Sequence, residues 1–253
     1  MKRLLDTYLV AERNLRKSVR TPQFLLVEIF FQPVIFVLLF AYVFGGAIHI
    51  PGVSYIDFLL PGILVQTATF SGLNTGIALA DDLKNGLVDR FWSLPMSRFA
   101  VIAGRIAADT VLSTVAVLVM VGVGTLIGFR FHAGVTEAAI AIALAVLTGM
   151  TFATLGALLA VIFRTAAGVQ GVGFALIFPI VFASSVFVPV ASMPSWLQAI
   201  ASRTPITATV DAVRALSLGL PVHSLPVTAV TWLVAIIVAA GAVSSFLYRR
   251  MGR

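Results

Sequence analysis

Nearly uncharged apolar runs recur six times along this 253-residue chain, and each is long enough to cross a bilayer. They cover residues 24–44 (with Glu28 inside), 58–80, 101–129 (charged only near its start), 138–163, 165–190 and 225–248. A helix needs about 20 apolar residues to cross ~30 Å of hydrocarbon, where every backbone polar group must be paired internally. The runs are continuous and do not alternate with period two, so they predict helices and not a barrel. The expected fold is all-α: a polytopic integral membrane protein of six transmembrane helices, forming one domain over 1–253. A hydrophobic share of 60% with 11% charged residues also exceeds what a soluble core can absorb, since soluble domains carry about 45–50% and about 25%.

The net charge of +7 would suggest nucleic acid in a soluble domain, but here the basic residues sit between the apolar runs and set topology. With both termini on one side, that side holds Lys2, Arg3, Arg13, Arg16, Lys17, Arg20, Lys84, Arg90, Arg98, Arg105, Arg164, Arg249, Arg250 and Arg253. The other keeps only Arg130, Arg203 and Arg214. The positive-inside rule therefore predicts cytoplasmic N- and C-termini, and no nucleic-acid partner is expected. The first run lacks a small-x-small cleavage pattern and is read as a retained span. The chain contains no cysteine, which removes thiol chemistry and thiolate metal ligands.

Three connections are informative. Before the first span, Leu4, Tyr8, Ala11, Leu15 and Val19 recur at helical spacing while Arg3, Asp6, Arg13, Arg16, Lys17 and Arg20 lie mostly away from them, which predicts an interfacial helix over 1–21 on membrane lipids. Between spans two and three lies a charged amphipathic insertion, 81–98. Asp82 is expected to cap a short helix there whose apolar stripe is Leu83, Leu87 and Phe91, and Pro95 is expected to stop it. Between spans five and six, the region 193–220 is too apolar for an ordinary outer loop and is expected to dip back into the membrane. Ser195–Ile200 and Thr207–Leu218 read as its two short helices, with Asp211 and Arg214 spaced to pair.

Within the spans, Gln66 and Asn74 on span two are candidates for a substrate path or for bonds between helices. Glu28 could attract cationic amphiphiles or join a structural network, and Arg105 and Asp109, four apart, could pair. The histidines His49, His132 and His223 stand singly on outer connections. They show no metal-ligand spacing, which weighs against a membrane-bound lipid-modifying enzyme. No charged ring marks a channel filter.

The segment Asp81-Asp82-Leu83-Lys84-Asn85-Gly86-Leu87-Val88-Asp89-Arg90-Phe91-Trp92-Ser93-Leu94-Pro95-Met96-Ser97-Arg98 resembles the cytoplasmic signature of type-2 ABC exporter permeases, particularly the daunorubicin-resistance group. Met193-Pro194-Ser195-Trp196-Leu197, Thr204-Pro205 and Asp211-Ala212-Val213-Arg214 are similar to the extracellular re-entrant region of the same permeases. Asp82 stands where those permeases often carry Glu. The resemblance implies a bacterial inner-membrane permease that dimerises with a second copy or a related chain and is driven by two cytoplasmic ABC ATPase subunits. It further implies a coupling helix over 82–94, in which Asp82, Leu83, Lys84, Gly86, Leu87, Asp89, Arg90 and Phe91 meet the ATPase, braced by the helix of Leu4, Tyr8, Leu15 and Arg16. Pro194, Trp196, Pro205, Asp211 and Arg214 would form a re-entrant gate. ATP and magnesium would be bound by the partner, since the chain has no Gly-x-x-x-x-Gly-Lys-Ser/Thr loop and is not expected to be an enzyme. The expected cargo is an amphipathic or lipophilic compound such as a drug, an antibiotic or a lipid, the alternative being a lipid, glycolipid or polysaccharide precursor.

Overall fold

The computed structural model describes residues 2–20, 23, 26–44, 52–85 and 98–251. Every regular element among them is helical. In chain order they are α1 (Lys2–Val19), α2 (Gln32–Leu39), α3 (Tyr55–Lys84), α4 (Arg98–Ile127), α5 (Val135–Phe163), α6 (Ala166–Phe182), α7 (Ser195–Ala201), α8 (Pro205–Leu218) and α9 (Leu225–Met251). Wide π-helical turns at Leu26–Phe31 and Phe40–Phe44 extend α2 at both ends. Pro33 stands where the first π-helical turn passes into the α-helical part, and its missing N–H leaves a carbonyl of the preceding turn without its backbone donor. Four of these helices, α3, α4, α5 and α9, are long and apolar enough to cross a membrane, and Ile29–Val43 and Ala166–Phe182 are shorter apolar helices.

Helix α3 is the axis of the bundle. Its 30 residues measure about 45 Å, and α4, α5, α6 and α8 all pack on it. Ser54 caps it by accepting the N–H of Asp57 at 3.2 Å. Its main partner is α5, and glycine explains how close the two come. A Cβ placed on Gly76 would stand 2.5 Å from the Gly156 carbonyl oxygen, and one on Gly156 would stand 2.6 Å from the Gly72 oxygen. The two backbones touch with no side chain between them, which is how helices associate where lipid gives no hydrophobic drive.

The core polar groups are largely spent within their own helices. Thr69, Thr148, Thr151 and Thr154 each donate at 2.8 Å to the carbonyl four residues back. Their hydroxyls therefore need neither water nor a neighbouring helix in an apolar surrounding.

Several boundaries differ from the sequence expectation. Helix α6, the expected fifth span, ends at Phe182, not at residue 190, and the chain turns so that Ser184 and Ser185 enter the core. The apolar run continues through this turn, so hydropathy carries no sign of it. Helix α4, the expected third span, stops at Ile127, where Gly128 adopts φ +122°, which leaves Phe129 buried past the helix end. In the region 193–220 the two short helices form over Ser195–Ala201 and Pro205–Leu218, the second capped by Thr204 and closed by Gly219 at φ +68°.

Helix α1 lies against α4 by a face different from its apolar stripe. Val10 and Asn14 are buried, and the Val10 side chain fills the space that Gly104 leaves empty. Tyr8 and Val19, two members of the stripe, are 63% and 64% exposed and face outward, while Ala11 is half-buried at the margin of the packed face. Leu15 is half-buried, and exposed Arg16 pairs with Glu12 one turn away.

Candidate functional site

A cavity of about 290 Å³ opens between α2, α3, α4 and α6. Its wall is aromatic: Phe36, Phe70, Phe174, Phe178 and Phe182 all line it. The rings are in register because Phe174, Phe178 and Phe182 recur every four residues on one face of α6. Phe178 stacks on Phe182 with centroids 4.3 Å apart, and Phe70 meets Phe174 at 5.7 Å. The array continues through Phe187 to Phe40 and Phe36 (5.0, 4.6 and 5.6 Å), joining α6 to α2.

Polar groups sit on the α3 and α4 sides. Gln66, Thr67, Ser71, Asn74 and Thr75 of α3 line the cavity, as do Arg105 and Asp109 of α4 and Gln32 of α2. The two residues picked from the sequence as a substrate path, Gln66 and Asn74, thus share one cavity. Gln66 is buried, and its Oε1 has no hydrogen-bond partner. Glu28 lies in the π-helical turns before α2, and its side chain lies outside the described residues.

At the α1 end, charges tie three helices together. Arg105 Nε donates to Asp109 Oδ2 at 2.7 Å, and its Nη1 stands 3.9 Å from Asp82 Oδ2. Lys17 Nζ of α1 donates to Asp82 Oδ1 at 3.3 Å. Asp82 does not cap a new helix as the sequence reading expected. Helix α3 runs unbroken through Lys84, and the Asp82 carboxylate points to α1 and α4. A carboxylate one turn from a helix C-terminus opposes the macrodipole, and the two cations compensate it. Leu83 is half-buried and Lys84 exposed on that same last turn, while Gly86, Leu87, Asp89, Arg90 and Phe91 lie outside the described residues.

At the opposite end, Arg214 of α8 is the hub. It is 7% exposed and donates to the Phe58 carbonyl at 3.0 Å, to the Ser185 carbonyl at 2.8 Å and to Asp211 at 3.1 Å. Its guanidinium also lies 3.7 Å above the Phe58 ring. Asp211 accepts from the Ser185 hydroxyl at 2.7 Å, so α8, the start of α3 and the turn after α6 form one polar knot. Pro205 begins α8, whereas Pro194 and Trp196 are exposed at and before the start of α7 and take no part in it.

The aromatic wall is the feature the sequence reading passed over. Its signal is the spacing Phe174-x-x-x-Phe178-x-x-x-Phe182, which reads as one helical stripe but resembles any lipid-facing stripe until α2 and α3 close around it.

Comparison with known proteins gives a consistent result. The profile of the ABC-2 type transporter family matches residues 6–218. A daunorubicin resistance ABC transporter permease from Streptomyces coeruleorubidus is 33% identical over 223 residues, 87% of this chain and 76% of the relative. A probable doxorubicin resistance ABC transporter permease from Mycobacterium tuberculosis is 28% identical over 219 residues, 86% of this chain and 79% of the relative. A putative transport permease from Cyanophora paradoxa is 31% identical over 190 residues, covering 72% and 64%.

Proposed function

The chain belongs to the ABC-2 type transporter family, and from that premise we propose that it is the membrane-spanning permease of an ATP-driven exporter of amphipathic or lipophilic compounds. The observation that carries the cargo class is the aromatic-walled cavity with polar groups along one side. At about 290 Å³ it sits near the lower end of drug-sized ligand sites, which are mostly apolar with a few placed polar groups. It supplies stacking surface for rings and acyl chains, with Gln66, Asn74 and the Arg105–Asp109 pair at hand for a polar head.

In this reading six helices span a bacterial inner membrane, the two shorter apolar helices being spans one and five, with both termini cytoplasmic. Two such chains, identical or related, associate with two cytoplasmic ABC ATPases that bind ATP and magnesium. The segment after α3 couples to the ATPase through Leu83, Leu87 and Phe91, and a displacement there tilts α3 and α4 as rigid bodies. The knot around Arg214 closes the outer end. Export of a lipid or glycolipid precursor would use the same cavity and differ in cargo alone.

The experiment is co-expression with a candidate ABC ATPase subunit from the same genome and measurement of amphiphile-stimulated hydrolysis in the purified complex. The expected result is stimulation whose half-maximal concentration rises roughly 3- to 10-fold in Phe178→Ala, because each lost ring contact removes about 0.5–1.5 kcal/mol. A complex without any nucleotide hydrolase, or hydrolysis blind to every amphiphile tried, refutes the proposal.

A further inference from the structure

The buried charges at the α1 end do not balance. One guanidinium, Arg105, faces two carboxylates, Asp109 at 2.7 Å and Asp82 at 3.9 Å, with all three side chains no more than 13% exposed. The surplus negative charge is met by Lys17, whose own side chain is 62% exposed. The two carboxylates also differ in place. Asp109 lines the cavity with Arg105, whereas Asp82 sits on the last turn of α3, at the stem of the segment that follows. A single side chain therefore touches the cavity on one side and the end of α3 on the other.

The same cavity contains a second polar group poised for a ligand. Gln66 is 4% exposed, and its Oε1 has no partner. It stands nine residues before Thr75, another α3 residue that lines the cavity and shares its far end with Arg105 and Asp109, or about 14 Å along the helix. Phe70 and the α6 rings lie along the cavity with these two polar positions, an arrangement suited to an elongated amphiphile with a charged end and a hydrogen-bonding end.

We propose that Asp109 receives the cationic group of an amphiphile bound in this cavity, and that Arg105 is the positioning residue that passes this event to α1 by shifting from Asp109 toward Asp82. The inference rests on the reading of the cavity as the cargo site. A ligand cation beside Asp109 repels the guanidinium and replaces its counter-charge. Among the described residues, Asp82 is the other carboxylate within 4 Å of Arg105, and a move of about 1 Å turns that 3.9 Å contact into a charge-assisted hydrogen bond. Asp82 then needs Lys17 less, and the hold of α1 on the end of α3 relaxes. A neutral amphiphile does not displace Arg105, so it binds without the shift, since a ligand moves an equilibrium only by its differential interaction with the two states.

The chain contains no cysteine, which makes site-directed labelling clean. Val19→Cys and Asp81→Cys, both at exposed positions on α1 and α3, are spin-labelled in the full chain assembled with its co-expressed ATPase in nanodiscs. Tetraphenylphosphonium is the cationic probe and triphenylphosphine oxide the neutral one, with binding and label distance measured together. Expected are a resolvable distance change with the cation alone, its loss in Arg105→Gln at cation concentrations that saturate that variant, and its partial return in Arg105→Lys. Asp109→Asn weakens cation binding about 10-fold and leaves the neutral probe unaffected. A merely structural Arg105 would lower thermal stability and affect both probes alike. The relay is overturned if the parent binds the cation without movement, or if Arg105→Gln moves as the parent does. The cation subsite is overturned if Asp109→Asn binds the cation normally while the neutral probe still occupies the cavity. If neither probe binds the parent, the cargo reading of the cavity falls as well.

Discussion

A leucine at Gly76 is expected to leave little folded protein in the membrane. Even a single carbon there stands 2.5 Å from the Gly156 carbonyl oxygen, and the obstacle is backbone, which cannot change rotamer. Overpacking a core typically costs about 1–3 kcal/mol when side chains can adjust. Here α3 and α5 must separate along their main contact, so Gly76→Leu falls at or beyond the top of that range, and Gly156→Leu behaves alike. Gly76→Ala should already lower the melting temperature of the purified chain measurably. Gly122→Ala is the matched control, because nothing lies within 4 Å of its added carbon, and it should be neutral or slightly stabilising. Heating followed by size-exclusion detection of the remaining monodisperse protein checks all four. Wild-type stability in Gly76→Leu would mean that α3 and α5 do not cross as described.

Replacing Arg214 by methionine is the second large effect, expected to cost about 3 kcal/mol of stability. The substitution preserves bulk over Phe58 but leaves the Ser185 carbonyl and the Asp211 carboxylate without their cation and three hydrogen bonds unmade. Arg214→Lys retains the charge and still loses ground, because one ammonium cannot reach three acceptors and stack on a ring together. Asp211 is 38% exposed and can recover water, so Asp211→Asn should cost less than half as much. The order Met, then Lys, then Asn in thermal unfolding is the result that checks the hub. Equal losses for Arg214→Met and Asp211→Asn would show that a simple ion pair, and not the three-way knot, holds the outer end.

Much of the scaffold is legible in the sequence because a helix in hydrocarbon has so few options. Uncharged length predicts the long helices, and spacing alone predicts that Asp211 meets Arg214 and Arg105 meets Asp109, as they do. What the sequence hides is where a helix ends inside an apolar run. Ser184, Ser185 and Pro189 are weak breaker signals inside an otherwise apolar stretch, and the turn places Ser185 against Asp211 and Arg214, which are remote in sequence. The misreading of Asp82 has a similar cause. A carboxylate before a polar stretch looks like an N-cap, but Lys17 and Arg105, neither of them nearby in the chain, make it worth keeping on the last turn of α3. The cavity lay half in view. Polar Gln66 and Asn74 stand out within a span, whereas the phenylalanines opposite them look like any membrane-facing residues until the helices assemble.

The glycine crossing also sets the mechanics of α3. Contact at Gly72 and Gly76 lies nearer one end of the helix than the other, roughly 15 Å from Lys84 and about 28 Å from Tyr55. Treated as a rigid rod resting on that fulcrum, α3 is a lever of unequal arms. On that fulcrum alone a small sideways push beside Asp82 would emerge about twofold larger and reversed at Phe58, and the second backbone contact, Gly62 against the Val186 carbonyl, is what such a swing would have to displace.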